Sequence, residues 1–152
     1  MNKLIFATHN PNKVKEVREL LSDSFEILGL NDIGFNEDII EDKLTITENS
    51  IKKAEFVKIK TGYDCFADDT GLEVDALNGH PGVFSKRFAG PNSSSDDNIN
   101  KLLEMLGNNT NRAARFKTVI SLSKNGQIIT FEGICEGNIA YERMGNLGFG
   151  YD

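Results

Sequence analysis

The chain has 152 residues, of which 39% are hydrophobic and 26% charged, and its formal net charge is −6. This length fits a single globular domain, 1–152, that can bury most of its apolar surface. The negative charge argues against a nucleic-acid polymer as partner, because such polymers usually bind basic surfaces. The sequence contains neither an apolar run long enough for a membrane nor a signal peptide, so we expect a cytoplasmic protein without a membrane partner.

The first predicted strand, Lys3–Ala7, runs into the segment Thr8-His9-Asn10-Pro11-Asn12-Lys13. A helix is predicted next from apolar residues at helical spacing, namely Val14, Val17, Leu20 and Leu21. Unpaired backbone N–H groups at a helix N-terminus stabilise an anion. Lys13 itself argues for a ligand, because the helix dipole disfavours a cation in the first turn. The alternative is an ordinary helix cap with a solvated Lys13.

An acidic and irregular segment, Asn31–Asp42, follows the second predicted strand, Phe25–Leu30. The pattern of a capping box at Thr45–Glu48 then predicts the start of a second helix, and Gly62 is a natural residue to end it. Within the acidic segment, Glu41 is a candidate magnesium ligand if the loop folds over the acidic pair at the end of the next strand. Otherwise the segment is solvated surface.

That acidic pair, Asp68 and Asp69, follows the short predicted strand Cys65–Ala67. We expect the chain to turn at Asp68–Gly71 before a half-buried strand over Leu72–Ala76. Two adjacent carboxylates at the end of a buried strand repel each other and lose solvation, which a bound cation or a raised pKa relieves. A polar turn without further function is the alternative.

The remaining chain is predicted to add a helix, a hairpin and a glycine-rich loop. A turn at Asn78–Gly82 and a loop at Gly90–Ser95 precede a helix that Gly107 closes. Asn125-Gly126 between two strand patterns predicts a β-hairpin. In the final segment, Gly145–Asp152, glycines allow a backbone to approach a ligand, and the aromatic residues can stack on a base. A glycine-rich turn with a core phenylalanine is the alternative.

Cysteines and histidines indicate no zinc site or disulfide. Cys65 and Cys135 lie far apart in predicted strands and are expected to be small buried thiols. His9 and His80 have no partners at metal-ligand spacing, so zinc is not expected. His9 is instead a candidate donor to the anion-binding loop.

Five segments, in this order, resemble the inosine triphosphate pyrophosphatase family, which hydrolyses non-canonical purine nucleoside triphosphates. They are Ala7–Lys13, Leu44–Ser50, Ala67–Leu72, Pro81–Ser85 with Arg87, and Gly148–Asp152. The resemblance implies an α/β fold with a long mixed β-sheet, flanking helices and two lobes around a nucleotide cleft, in a homodimer. Because family members continue beyond this point with a further strand and helices, we expect the chain to be incomplete at its C-terminus relative to the family.

The resemblance also implies a role for each matching position. Asp69 falls where the family places its proton acceptor and a Mg²⁺ ligand, Asp68 is its neighbour, and Glu41 falls on a second metal ligand. Residues expected to bind the substrate are Thr8, His9, Asn10, Lys13 and Thr70, together with Phe149, Gly150, Tyr151 and Asp152 around the base.

These implications predict Mg²⁺-dependent hydrolysis of ITP, dITP and XTP to the monophosphate and pyrophosphate, which would cleanse the nucleotide pool. The metal would polarise a phosphoryl oxygen, and Asp69 or Asp68 would take a proton from water. One alternative is a non-catalytic nucleotide-binding module, that is, a truncated and inactive homologue. Another is an aspartyl-phosphate phosphatase with Asp69 as nucleophile, which the adjacency of the two aspartates disfavours because such enzymes space them as Asp-x-Asp.

Overall fold

The computed structural model of the protein describes residues 2–152, and in this part of the chain six strands and three α-helices alternate. In chain order they are β1 (Asn2–Phe6), α1 (Pro11–Leu21), β2 (Phe25–Gly29), α2 (Ile46–Thr61), β3 (Cys65–Val74), β4 (Pro81–Gly82), α3 (Ser95–Leu106), β5 (Ala113–Lys124) and β6 (Gln127–Asn138). Two short 3₁₀ helices, Asp75–Leu77 and Ser85–Arg87, flank β4.

The strands of the described chain form one mixed sheet in the order β2-β1-β3-β5-β6, and β4 pairs with β3. β1 runs parallel to β2 and to β3, which the crossover helices α1 and α2 make possible. β4 is antiparallel to β3. Positive φ angles at Asn125 (53°) and Gly126 (75°) form the two-residue turn that joins β5 to β6. The predicted α/β class, mixed sheet and hairpin are therefore confirmed.

The helix ends follow the signals in the sequence. Asn10 and Thr45 cap α1 and α2, and the Thr45 hydroxyl accepts from the Glu48 N–H at 3.1 Å. Gly62 ends α2 in the left-handed region at a φ of 73°, where an L side chain would be strained. α3 begins with a reciprocal capping box, in which the side chains of Ser94 and Asp97 each bond the other's backbone N–H.

β3 differs most from the sequence-based expectation. The predicted turn at Asp68–Gly71 is wrong, because a single strand runs without interruption from Cys65 to Val74. The separate strand expected over Leu72–Ala76 is the end of β3 followed by a 3₁₀ turn. β5 lies beside β3 in the sheet, β1 pairs with its start at Cys65 and Phe66, and β4 pairs with its end at Leu72 and Glu73, so sheet pairing outweighs the turn preference of Asp and Gly.

The chain divides into two compact units. The first contains the described residues up to Asp69 together with Val119–Glu132, and the second contains Thr70–Thr118 together with Gly133–Asp152. In the first unit, one apolar cluster packs against α2 and includes Ile5, Ala54, Val57, Cys65 and Ala67. Another packs against α1 and includes Phe6, Val14, Ile27 and Phe66. Side chains of β3 therefore alternate between the two helices, with the odd-numbered ones facing α2.

The core of the second unit lies where α3 packs on β3 and β5. Its buried residues are Leu72, Val74, Leu102, Leu106 and Ala114. Ile139 and Tyr151, from the segment that follows β6, pack against this cluster. The last part of the described chain is thus fixed to the second unit by apolar contacts.

The two cysteines lie in different environments. Cys65 is buried, as expected, but Cys135 is exposed, so the expectation of two buried thiols is wrong for Cys135. Cys135 lies on β6, which is the last strand in the sheet order and has mostly exposed residues. In the part of the chain that the structure describes, we find no helix with the length and apolarity needed to span a membrane.

Candidate functional site

Asp68 and Asp69 are buried on opposite faces of β3. Only 6% of the surface of Asp68 and 8% of that of Asp69 is exposed. The alternation of β3 directs Asp68 toward α1 and Asp69 toward α2. Lys13 of α1 places its Nζ 2.7 Å from Asp68 Oδ2, while the charge of Lys53 on α2 acts on Asp69. The positive charge of a lysine from the nearer helix thus acts on each carboxylate.

Asp69 is held in an environment that disfavours its negative charge. Burial raises the pKa of Asp69 to about 6, and the nearby Glu41 carboxylate adds to the rise, while Lys53 and Lys13 oppose it. Its Oδ2 atom is buried and has no hydrogen-bond partner among the described residues. A divalent cation would satisfy this oxygen and neutralise the two carboxylates.

Glu41 reaches this site on the acidic segment, which has no regular secondary structure. Lys53 Nζ donates to Glu41 Oε1 at 3.1 Å, and Lys52 Nζ donates to Asp42 Oδ1 at 2.7 Å. Both bonds tie the segment to α2. Glu41 is a candidate metal ligand only if its loop lies close to the acidic pair. It does, since the charge of Glu41 acts on Asp69.

The carboxylates fit a metal that is only partly coordinated by protein. Among the residues described, no group of three or more His, Cys, Asp and Glu side chains could hold a metal ion. Mg²⁺ commonly binds one or two carboxylates and completes its coordination with water and substrate phosphate. Glu41 and Asp69, with the unpartnered buried oxygen of Asp69, fit such an ion.

The loop between β1 and α1 differs from expectation in its backbone. Asn10 Oδ1 accepts from the N–H groups of Asn12 at 2.9 Å and Lys13 at 3.4 Å, and the Asn10 carbonyl accepts from Val14 N–H. The expected unpaired N–H groups of the first turn are therefore absent from this loop, because the chain caps itself. The groups left to meet an anion are side chains, namely the Thr8 hydroxyl, the Asn10 amide and the Lys13 ammonium.

His9 links this loop to the acidic segment. Its Nδ1 lies 2.9 Å from Asn31 Oδ1, and its Nε2 lies 2.9 Å from the Glu37 carbonyl oxygen. Both ring nitrogens are engaged, so His9 would have to exchange one of these bonds to donate to a phosphate. In the structure the ring helps to hold the segment that carries Glu41.

The candidate base-binding residues belong to the second unit. Thr70 Oγ1 lies 2.8 Å from Thr118 Oγ1. The Tyr151 hydroxyl donates to the Ser85 carbonyl at 2.5 Å, and burial raises the pKa of Tyr151 to about 12. Tyr151 thus anchors the segment, whereas the Phe149 ring is 39% exposed and available for stacking. A Cβ at Gly148 would collide with the Asp152 carboxylate, which folds back over this glycine.

The roles of three buried residues that make structural contacts were not predicted from the sequence. Lys53 follows the helical spacing of the buried face of α2, so a charged residue on that face was a usable signal. Ser85 accepts from Leu72 N–H and donates to the Gly82 carbonyl. Arg112 is buried against backbone carbonyls. The last two depend on contacts between distant segments and leave no local pattern.

Comparison with known proteins identifies the group to which this arrangement belongs. The model of the Ham1 family matches residues 4–152. The chain belongs to the Ham1 family. A dITP/XTP pyrophosphatase of Flavobacterium johnsoniae is 55% identical to this Ham1 chain, with 99% of the chain and 78% of that protein aligned. One of Porphyromonas gingivalis is 51% identical, with 100% and 79% aligned.

Solved structures of Ham1 proteins confirm the fold. The Ham1 protein of Staphylococcus aureus matches with a TM-score of 0.85 at 39% identity, covering 99% of this chain and 79% of that one. A HAM1 protein from Coxiella burnetii matches with a TM-score of 0.88 at 39% identity, covering 100% and 80%. The resemblance drawn from the five motifs is confirmed over nearly the whole chain.

Proposed function

We propose that this Ham1 chain is a nucleoside triphosphate pyrophosphohydrolase that converts dITP, XTP and ITP to the monophosphate and pyrophosphate, and so cleanses the nucleotide pool. The observation that carries the proposal is the buried Asp69 carboxylate, which has one oxygen without a hydrogen-bond partner among the described residues and whose pKa the charge of Glu41 raises while Lys53 and Lys13 lower it. The relatives named dITP/XTP pyrophosphatase support the substrate class, because their identity extends over almost all of this chain.

Glu41 and Asp69 would hold the divalent metal, for which we propose Mg²⁺. When bound, the ion supplies positive charge that polarises a phosphoryl oxygen. Lys13 and the side chains of Thr8 and Asn10 would bind the triphosphate, with Thr70 contacting the substrate. A net charge of −6 makes such local cations necessary, because the whole molecule repels an anionic ligand.

Asp69 would accept the proton of the attacking water. The water oxygen forms a bond to the α-phosphorus, the bond from that phosphorus to the bridging oxygen breaks, and pyrophosphate leaves. Without a metal the pKa of Asp69 is about 6, and a bound cation would lower it, so the carboxylate is ionised at neutral pH and able to accept a proton. Asp68 is the weaker candidate because its carboxylate is paired with Lys13 at 2.7 Å. Its task is to hold that lysine in place.

The base would be bound by the last described segment. The Phe149 ring would stack on the purine, Gly150 would let the backbone approach it, and the Asp152 carboxylate would accept from ring N–H groups. Tyr151 would support them through its bond to Ser85. The proposal includes a homodimer in the cytoplasm, where nucleotide triphosphates are made and used.

The test is the product that forms from dITP. Wild-type protein with Mg²⁺ should release pyrophosphate and dIMP, and Asp69→Asn should lower kcat by about 100-fold or more because the proton acceptor is lost. Asp23→Asn, on an exposed aspartate of the same unit, is the matched control and should be unaffected. Release of orthophosphate, or full activity in Asp69→Asn, would contradict the proposal. Binding of dITP without turnover would indicate the non-catalytic module.

A further inference from the structure

Arg112 is a buried cation whose partners in the described chain are all uncharged. Only 6% of its surface is exposed. Its Nε donates to the Ile139 carbonyl at 3.0 Å, and Nη2 donates to the Ala140 carbonyl at 2.8 Å. Nη1 donates to the carbonyls of Gly107 at 3.1 Å and Asn109 at 3.4 Å. One guanidinium thus joins the end of α3 to the residues that follow β6.

The chemistry of these contacts is specific to arginine. The planar guanidinium presents donors in fixed directions, so it can serve four carbonyls at once. Its Cζ also lies 4.2 Å from the centroid of the Tyr141 ring, which favours the cation on its face. A lysine carries three donors on one nitrogen and cannot span both groups of carbonyls. Burying an arginine without a carboxylate partner costs free energy. The contacts of Arg112 to 139–141 therefore serve to fix the position of that segment.

The segment that begins at Ile139 has no regular secondary structure, so its course depends on side-chain anchors. Arg112 holds its start, and the Tyr151 hydroxyl holds its end at Ser85. Between them, Arg143 donates to Asp96 Oδ1 at 2.8 Å, to the Asp96 carbonyl at 3.1 Å and to Asn100 Oδ1 at 2.9 Å, but the side chains of Arg143 and Asp96 are 44% and 79% exposed. An exposed pair of this kind contributes little free energy. The buried Arg112 is therefore the stronger anchor on the N-terminal side of the segment.

We propose that Arg112 is a positioning residue that sets selectivity for the base of the nucleotide, by fixing the segment 139–152. This inference rests on the proposed function, in which Phe149 to Asp152 contact the base. Loss of the guanidinium removes the hydrogen bonds to the Ile139 and Ala140 carbonyls, leaves the start of the segment held by the Ile139 N–H bond to the Arg112 carbonyl and by apolar packing of Ile139, and loosens the placement of the Phe149 ring. The phosphate-binding residues Thr8, Asn10 and Lys13 belong to the first unit and keep their own contacts.

The test compares a ligand that has a base with one that has none. Arg112→Lys and Arg112→Gln should lower the ratio of kcat/KM for dITP over dGTP by about tenfold, because small displacements of binding groups cost large factors. The affinity for inorganic tripolyphosphate, measured as a competitive inhibitor, should stay within about twofold of wild type, since it lacks a base. Arg18→Gln is the matched control, because Arg18 also donates to a backbone carbonyl but in the first unit.

Amide hydrogen exchange measures whether the segment 139–152 is still held in place. Peptides within 139–152 should exchange faster in the Arg112 variants, whereas peptides of α1 and α2 should be unchanged. If the Arg112 variants fail to fold, Tyr141→Leu removes the ring beside the guanidinium at a largely exposed position, and it should show the same pattern in milder form.

Two results would overturn the inference. One is an equal loss of affinity for dITP and for tripolyphosphate, which would make Arg112 a general stabiliser of the fold. The other is faster exchange in 139–152 with unchanged base selectivity. Failure of the proposed function is distinguishable, because a wild-type protein that does not hydrolyse dITP can still be tested by calorimetry for binding of dITP and tripolyphosphate.

Discussion

Asp68 and Asp69 are adjacent, yet their surroundings give them different chemistry. Because β3 continues through both residues, their side chains leave the strand on opposite faces and meet different helices. Asp68 is neutralised by Lys13, whereas Asp69 shares its surroundings with the carboxylate of Glu41. The excess negative charge therefore gathers on the α2 side of β3, where a metal would compensate it.

This charge predicts a specific dependence of stability on pH. The pKa of Asp69 is raised from 3.8 to about 6, so the folded state binds this proton more tightly than the unfolded state does. Stability therefore falls as pH rises from about 4 through about 6, and the loss approaches about 3 kcal/mol above that range. Asp69→Asn should remove this loss and raise Tm at pH 7 relative to wild type in metal-free buffer.

The difference in Tm between Asp69→Asn and wild type should vanish near pH 4, where the native carboxyl is protonated. Adding Mg²⁺ at pH 7 should stabilise the wild type and leave Asp69→Asn unchanged, because the proposed ligand is gone. Thermal melts across the pH range measure both effects. A Tm difference that is the same at pH 4 and pH 7 would show that the folded protein does not disfavour the charged form of Asp69.

Lys13 should act on the phosphates rather than on the base. Lys13→Ala removes a point charge from the anion-binding loop, so triphosphate affinity should fall by about tenfold or more while monophosphate affinity changes less. Titration calorimetry with dITP and dIMP measures the two. Lys15→Ala, on an exposed lysine of the same helix, is the control. Equal weakening of both ligands would place Lys13 away from the terminal phosphates.

The main acidic residues of the site could be predicted from the sequence, but their supports could not. Asp69 stands out because two adjacent carboxylates follow a predicted strand, whereas Glu41 is singled out within its acidic segment by the family resemblance, and their binding of a metal stays a prediction. Ser85 and Arg112 act partly through contacts with residues distant in the chain, so their role is decided by packing, whereas the helical spacing of Lys53 was a signal that the sequence offered. The sequence analysis also expected open N–H groups before α1, because it could not show that Asn10 turns its own side chain onto them.

At the scale of elements, local signals were reliable where a side chain caps its own helix. The cap of α2 and the turn at Asn125–Gly126 were predicted because each depends on neighbouring residues, whereas a capped start of α1 was only the alternative to open N–H groups. β3 was predicted wrongly because Asp-Asp-Thr-Gly has a strong local turn preference. Pairing within the sheet decides its conformation, and its partners β1 and β5 are distant in the chain.

Gly62 offers a test of such a cap. Its φ of 73° lies in the left-handed region, so Gly62→Ala should lower the free energy of unfolding by about 1 kcal/mol. Gly62→Asn should cost less, because asparagine tolerates this region better. Denaturant unfolding measures both, and nucleotide hydrolysis should not change. An alanine variant as stable as wild type would mean that the end of α2 relaxes into another conformation.

For the whole molecule, sequence patterns predicted one α/β chain but not its division. β3, β5 and β6 each supply residues to both units, so the boundary falls inside strands. No linker or change in composition marks it. The exposure of Cys135 on β6 was also missed.

The two cysteines should differ in thiol reactivity as long as the protein is folded. Burial raises the pKa of the Cys65 thiol to about 11, and Cys65 is fully enclosed, whereas Cys135 is exposed. In native protein, a thiol reagent should modify Cys135 rapidly and Cys65 only upon unfolding. Mass spectrometry of labelled peptides separates the two. Rapid labelling of Cys65 under native conditions would show that the core of the first unit opens readily.

The turn between β5 and β6 makes this hairpin a site of chemical ageing. Gly126 has no side chain to shield its backbone nitrogen, which can attack the side-chain carbonyl carbon of Asn125 and release ammonia. Water then opens the resulting cyclic imide to aspartate or to its β-linked isomer. Each event adds a negative charge to a chain that already carries −6, and the isomer inserts an extra carbon into a turn that has only two residues. Stored samples should therefore become heterogeneous in charge at the tip of this hairpin and, for the same reason, at the exposed Asn78-Gly79 turn.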